Sequence, residues 1–217
     1  MKLNSKRTIL VGLAFLSICA FWQMYDSIVP LILTKTFHMN ETFSGAIMAA
    51  DNILALFLLP FFGSVSDKSH TKIGKRMPFI LFGTGCAIIL MNILPLLDNS
   101  YAAQPSGFKT ASFVIVLGLL LVAMGTYRAP AVALMPDVTP KPLRSRANAI
   151  INLMGAVGGI LYLGVAAVLY PNSKTAGLDH VNYQPLFIVV SAIMFVAVTV
   201  LCLLYTSPSP RDLSTSR

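Results

Sequence analysis

From residue 8 to residue 204 the sequence alternates six apolar runs with short polar connections. Each run is about 20 residues or longer, enough for a helix to cross roughly 30 Å of hydrocarbon. The expected spans are residues 8–33, 43–63, 78–97, 111–135, 147–170 and 185–204. Backbone amides in lipid have no water to bond, so each segment must satisfy its own N–H and C=O groups, and helix does so. Only 11% of residues are charged and mean hydropathy is +0.75, too apolar for a single soluble core. The fold class expected is an all-α membrane protein of six transmembrane helices in a lipid bilayer.

The net charge of +8 is a matter of placement. Lys2, Lys6, Arg7, Lys68, Lys72, Lys75, Arg76, Lys141, Arg144 and Arg146 fall in the N-terminus and in the connections after the second and fourth runs. The opposite connections hold Lys35, Lys109 and Lys174. That bias predicts a cytoplasmic N-terminus in a multi-pass cell-membrane protein. Basic residues clustered between apolar spans, without interleaved aromatics, exclude a nucleic-acid partner. The basic start resembles a signal peptide, but the first run has no small-residue cleavage site and is read as an uncleaved span. Cys19, Cys86 and Cys202 lie in apolar runs without pairing or C-x-x-C spacing and read as buried, inert thiols.

Three ionisable residues fall inside these runs: Asp26, Asp51 and Arg128. Each costs at least about 2.5–3.5 kcal/mol at a helix centre, so such groups face protein or a watery path. Gln23, Asp26, Ser27 and Pro30 share one helical face, and Pro30 weakens the helix beyond them. Asp26 would line a cavity, or form a buried ion pair, or lie near the outer interface. Asp51 and its neighbour Asn52 are expected at a similar depth. Two adjacent carboxylates raise each other's proton affinity or jointly hold a cation, so a proton or sodium is the expected coupling ion. The alternative is that Asp26 and Asp51 face apart. Arg128 lies about 13 Å deeper than Asp51 by helical rise; it would bind a solute through its planar fork, pair with an acid, or snorkel to the interface. In the fifth run Asn148, Asn152, Gly155, Gly159 and Tyr162 recur every three or four residues. Helix packing accounts for the glycines, and the asparagines are candidates for a polar solute.

Other classes leave different marks. No G-x-S-x-G, H-E-x-x-H or His–acid constellation suggests an enzyme, and His38, His70 and His180 read as solvated loop residues. No metal site or organic cofactor is expected. A six-helix channel is disfavoured, because there is no paired Asn-Pro-Ala loop and no arginine at every third position. The tail at 205–217 is rich in Ser and Pro; it is a disordered end, or a non-native piece, since CLLYTSPSPRD resembles translated sequencing-adaptor read-through.

The connection at residues 63–80, GSVSDKSHTKIGKRMPFI, is the densest polar cluster. Gly63, Asp67, Lys68, Gly74, Lys75 and Arg76 resemble the signature between helices 2 and 3 of the major facilitator superfamily, G-x-x-x-D-[RK]-x-G-R-[RK]. Here Lys68 and Gly74 are separated by SHTKI, and Lys75 replaces the usual arginine. The longer form, followed by Pro-Phe-Ile, is similar to sucrose–proton symporters and glycoside–pentoside–hexuronide symporters. YRAPAVALMPDVTPKPLRSRANAI resembles their fourth-to-fifth helix segment, matching at Arg128, Asp137 and the Arg146, Ala147, Asn148 start of helix 5.

The resemblance implies the N-terminal half of a twelve-helix transporter, with a C-terminal six-helix half as partner. It implies alternating access, inverted three-helix repeats and a cavity lined by helices 1 and 4. It also implies sugar or glycoside symport, with Asp51 as the helix-2 acid for the coupling ion. Non-sugar solutes, such as drugs or organic anions, are the alternative within the superfamily. For the motif itself, Gly63 is expected to permit close packing and Asp67 to meet basic groups and the start of helix 3, as a cytoplasmic latch rather than a substrate site.

Overall fold

The structure, a computed structural model, describes residues 5–69, 71, 74–178 and 180–205. Lys2, His70, Lys72 and the tail beyond residue 205 lie outside the described residues. Among those described, six helices are long and apolar enough to cross a membrane: Thr8–Thr36, Glu41–Lys68, Met77–Ala103, Gly107–Asp137, Lys141–Leu169 and Gln184–Leu203. The elements are α1 (Ser5–Leu31), α2 (Glu41–Lys68), α3 (Met77–Ala103), α4 (Gly107–Val138), α5 (Arg144–Leu169), a short α6 (Asn172–Thr175) and α7 (Gln184–Tyr205).

Local chemistry sets several boundaries. Pro30 lacks an N–H, which breaks the ladder inside α1. The chain then continues as a π turn, Ile32–Thr36, in which Phe37 N–H reaches back to Ile32 O at 3.1 Å. Asn40 caps α2, its side-chain oxygen accepting Thr42 N–H at 3.1 Å. Asn182 does the same for α7, accepting Gln184 N–H at 3.0 Å.

Helix α1 is the core of this unit, burying Val11, Ala14, Ile18, Phe21, Tyr25 and Ile28. It packs against α5, α7 and α4, while α2 packs on α4, and α3 packs on both α4 and α7. Exchanging the first three spans with the last three maps α1·α5 onto α2·α4 and α3·α4 onto α1·α7. The α3·α7 and α1·α4 pairs map onto themselves. The packing thus carries the pseudo-twofold relation of two three-helix repeats.

Glycines set the closest approaches. A Cβ on Gly155 would lie 2.8 Å from Cys19 Sγ, and one on Gly158 would overlap the carbonyl of Leu16. Gly83 meets Tyr127 N at 2.7 Å in the α3–α4 contact. Polar bonds fix two other crossings, α1–α4 and α3–α7: Ser17 Oγ and Tyr127 OH are 2.7 Å apart, Tyr127 OH donates to Ala14 O at 3.0 Å, and Asn92 Nδ2 donates to Ser191 Oγ at 2.7 Å. The outer faces of α2 and α5 leave Ile53, Leu56, Phe57, Leu153 and Ile160 exposed, an apolar surface suited to lipid or to another helical unit.

The structure corrects four expectations. The third span runs past residue 97 to Ala103, so Asp98 falls within it, and it is fully buried. His180 is half-buried and hydrogen-bonded rather than solvated. A Cβ on Gly63 would meet nothing within 4 Å, so close packing within this chain does not explain that glycine. Cys19, Cys86 and Cys202 are half-buried rather than buried, because their helices keep one flank open.

Candidate functional site

Two polar constellations interrupt the apolar bundle. The first lies among α1, α2 and α4. Asp26 is ten residues before the end of the π turn, and Asp51 is ten residues into α2. Both therefore lie about 15 Å, by helical rise, from the end of the bundle where α1 finishes and α2 begins. Asp51 is near enough to Asp26 and Tyr25 for its charge to act on both. Asn52 Nδ2 donates to Asp51 Oδ1 at 2.8 Å, holding one carboxylate oxygen toward its neighbour.

Arg128 reaches the same region from α4. With Trp22, Asp51, Leu54, Leu58 and Gly125 it lines a narrow crevice of about 20 Å³. Its guanidinium carbon stands 5.4 Å above the Trp22 ring centre, within cation–π range. Helical rise had separated Arg128 from Asp51, but the flexible arginine side chain and the packing of α2 across α4 bring them to one crevice. They form no ion pair within 4 Å among the described residues. Arg128 thus combines a charge partner at a distance with an aromatic face beneath it. An indole plane beside a fork of N–H donors suits a polyhydroxyl ring, whose C–H face stacks while its hydroxyls bond.

Gln23 and Ser27 occupy the α1 flank that faces α5. A Cβ on Gly159 would come within 3.9 Å of Gln23 Oε1, and Ser27 Oγ donates back to Gln23 O at 2.6 Å. Asn148 and Asn152 are exposed on α5, on the face shared by Gly155 and Gly159. The structure therefore groups Asp26, Asp51, Asn52 and Arg128. It leaves Asn148 and Asn152 on an open face, with no bond to that group among the described residues.

The second constellation is at the opposite end. Arg76, 6% exposed, begins α3 and reaches between two acids. Its Nε donates to Asp137 Oδ2 at 2.6 Å, its Nη2 stands 2.7 Å from Asp67 Oδ1, and its Nη1 donates to Ser66 Oγ at 3.3 Å. Lys75 Nζ is 3.6 Å from Asp67 and 3.5 Å from Asp137. One buried guanidinium thereby ties the end of α2 to the end of α4. Gly74 takes a φ of +103°, where a side chain is strained, and turns the connection so that Lys75 and Arg76 face the acids. Arg144, in the first turn of α5, donates to the carbonyls of Pro136 and Thr139 at 3.0 and 3.3 Å, steadying the α4 end. Lys68 and Arg146 are exposed and take no part in the ion pairs among the described residues.

The sequence matches the profile of the Major Facilitator Superfamily over residues 11–217. The chain belongs to the Major Facilitator Superfamily. Its six helices are the half-unit of that fold, and both the superfamily and the relatives named here are transporters rather than enzymes. It is 34% identical over 158 residues to the sucrose transport protein SUC3 of Arabidopsis thaliana, covering 67% of this chain and 26% of that one. It is 34% identical over 154 residues to the sucrose transport protein SUT3 of Oryza sativa subsp. indica, covering 64% and 30%. It is 27% identical over 169 residues to SUT1 of the japonica subspecies, covering 71% and 31%. The chain thus spans about a quarter to a third of the length of these relatives.

Trp22 and Tyr25 went unselected by sequence reasoning, although FWQMYDSIVP contains both. Their signal was an aromatic immediately before each of Gln23 and Asp26, on a helix already flagged. Tyr25 OH and Trp22 Nε1 are buried and make no hydrogen bond among the described residues, leaving two donors beside the acids.

Proposed function

We propose that this chain is the N-terminal half of a sugar or glycoside symporter of the cell membrane, driven by a proton or sodium gradient. In this reading the N-terminus is cytoplasmic, and the unit pairs with a second six-helix half across the exposed faces of α2 and α5. The observation that carries it is the crevice where Arg128 lies over Trp22 beside Asp51, with Asp26 close by. Arg128, Trp22 and Gln23 orient the solute's hydroxyls and ring face. Asn52, Asn148 and Asn152 complete the polar lining as the two halves close. Asp26 and Asp51 take the coupling cation: a negative charge within a membrane-spanning helix is costly, and a bound proton or sodium removes that cost. The sucrose transport proteins among its relatives support a sugar as solute.

At the cytoplasmic end, Arg76 with Asp67 and Asp137 acts as a latch that breaks as the halves rock. Such a latch controls access and makes no contact with the solute.

The test separates coupling from binding. In the full-length protein, Asp26→Asn and Asp51→Asn should abolish gradient-driven accumulation of a labelled glycoside. Exchange of internal for external glycoside at zero gradient should survive. Accumulation unchanged in both variants would refute the assignment.

A further inference from the structure

At the outer end of the bundle, α3 carries a carboxylate that the central site does not use. Asp98 is 0% exposed, and neither oxygen has a well-formed hydrogen bond among the described residues, with the Thr36 hydroxyl the neighbouring donor. The nearest charged partner is His180, in the connection before α7, with Nε2 3.9 Å from Asp98 Oδ2. The imidazole is held on both sides. Its Nε2 lies 2.9 Å from Asn99 Oδ1 and its Nδ1 lies 3.3 Å from Thr36 Oγ1.

The surrounding bonds fix the ring's options. Asn99 Nδ2 donates to Asn182 Oδ1 at 2.9 Å, which leaves Asn99 Oδ1 as an acceptor and requires His180 Nε2 to carry hydrogen. Thr36 has a hydroxyl, able to donate to a bare Nδ1 or to accept from a protonated one. The ring can therefore gain or lose a proton at Nδ1 without breaking its contacts. A buried, unbonded carboxylate is costly unless it is neutralised. Here neutralisation comes from a proton on Asp98 itself or from an imidazolium at His180.

Among the described residues, the other groups facing this pocket do not compete. Burial pushes the phenols of Tyr170 and Tyr183 up, with Asp98 adding to the effect at Tyr183, so both stay neutral near physiological pH. Lys109, from α4, is bonded to the carbonyls of Ser100 and Gln104 at 2.8 and 2.9 Å and makes no ion pair with Asp98 within 4 Å. The α7 contact to α3 is the uncharged Asn92–Ser191 bond. No cluster of three His, Cys, Asp or Glu that could hold a metal occurs among the described residues.

We propose that Asp98 and His180 hold one proton between them, forming a proton-binding site at the outer end of the bundle, separate from Asp26 and Asp51. The held proton neutralises the pair, so the connection before α7 can stay docked over Asp98, with His180 against Thr36 of the π turn and Asn99 of α3. Its loss leaves a buried anion that draws water in and opens that connection. The inference stands apart from the transport reading, since it rests on the pair and its loop alone.

The test is hydrogen–deuterium exchange of the segment around His180 in the protein in lipid nanodiscs, at about pH 6 and about pH 8. After correction for the chemical exchange rate, protection should fall about tenfold or more as pH rises, the equivalent of one unit of proton linkage. Asp98→Asn, isosteric and uncharged, should keep full protection at both values. Asp26→Asn should respond as the unaltered protein does. Replacing sodium by choline should change nothing. A pH response that persists in Asp98→Asn, vanishes in Asp26→Asn, or depends on sodium would overturn the proposal. If Asp98→Asn does not fold, the His180 ring resonance of the unaltered protein decides: it must titrate together with loop protection, and independent titration refutes the pair.

Discussion

Arg76 determines how the proposed latch should respond to charge removal, because it is buried while its two acids are not equally so. The Asp137 side chain is 32% exposed and Asp67 is 54% exposed. A hydrogen bond to a charged group contributes about 1.5–3 kcal/mol when well buried, whereas an exposed ion pair contributes about 0–1 kcal/mol. Asp137→Asn should therefore weaken the latched state by about 1–2 kcal/mol, and Asp67→Asn by about 0.5–1 kcal/mol. At 1.36 kcal/mol per tenfold, the unlatched population rises about 5–30-fold in the first case and about 2–5-fold in the second. A cysteine at Leu134 reports on this, since Leu134 lines the pocket of about 420 Å³ beside Gly74, Lys75, Arg76 and Asp137, and is buried when latched. The assay is maleimide labelling in inside-out vesicles of the full-length protein, with Cys19, Cys86 and Cys202 replaced by alanine. Labelling should rank Asp137→Asn above Asp67→Asn above the unaltered latch. Adding Asp137→Asn to Arg76→Gln should change little, because both remove the same bond. Asp67→Asn should also lose transport while retaining substrate binding. A reversed ranking, full additivity, or lost binding in Asp67→Asn would refute the reasoning.

Further outcomes follow from the packing and from the crevice. Gly158→Ala drives a methyl into the backbone of Leu16 where α1 crosses α5, and should cost more than about 3 kcal/mol in a melt of the protein in detergent. Gly159→Ala meets only a side-chain tip at 3.9 Å and should stay within about 0.5 kcal/mol; equal losses at the two positions would contradict the packing. Arg128→Lys keeps the charge but loses the flat face over Trp22. At about 0.5–2 kcal/mol for a cation–π pair, glycoside affinity should fall about 2–30-fold. Trp22→Leu should do the same, and the two together should cost less than their sum; unchanged affinity in either would remove Arg128 and Trp22 from the site.

The fold class is legible in the sequence because lipid imposes one conformation on each apolar run, and because charge bias needs only counting. The signature at Asp67, Lys75 and Arg76 is legible because a short connection keeps its residues together. Arg128 is legible as a charge in an apolar helix, but its company is not. Trp22 lies beneath it only through the crossing of α1 and α4, which no spacing within one helix encodes. Asp98 was hidden by a boundary: the apolar average falls after residue 97, yet the helix continues to Ala103, and burial comes from the π turn and from a connection some 80 residues downstream. His180 looks like an ordinary loop histidine until Thr36, Asn99 and Asp98 converge on it. Such groups are set by contacts distant in sequence.

The most direct test of the account is uptake of a labelled glycoside by the full-length protein in liposomes, under an imposed inward proton or sodium gradient. The account predicts saturable accumulation above the external concentration, collapsing when an ionophore dissipates the driving gradient and absent in Asp26→Asn and Asp51→Asn. Flux that only equilibrates and does not saturate, or accumulation indifferent to both gradients, would contradict it.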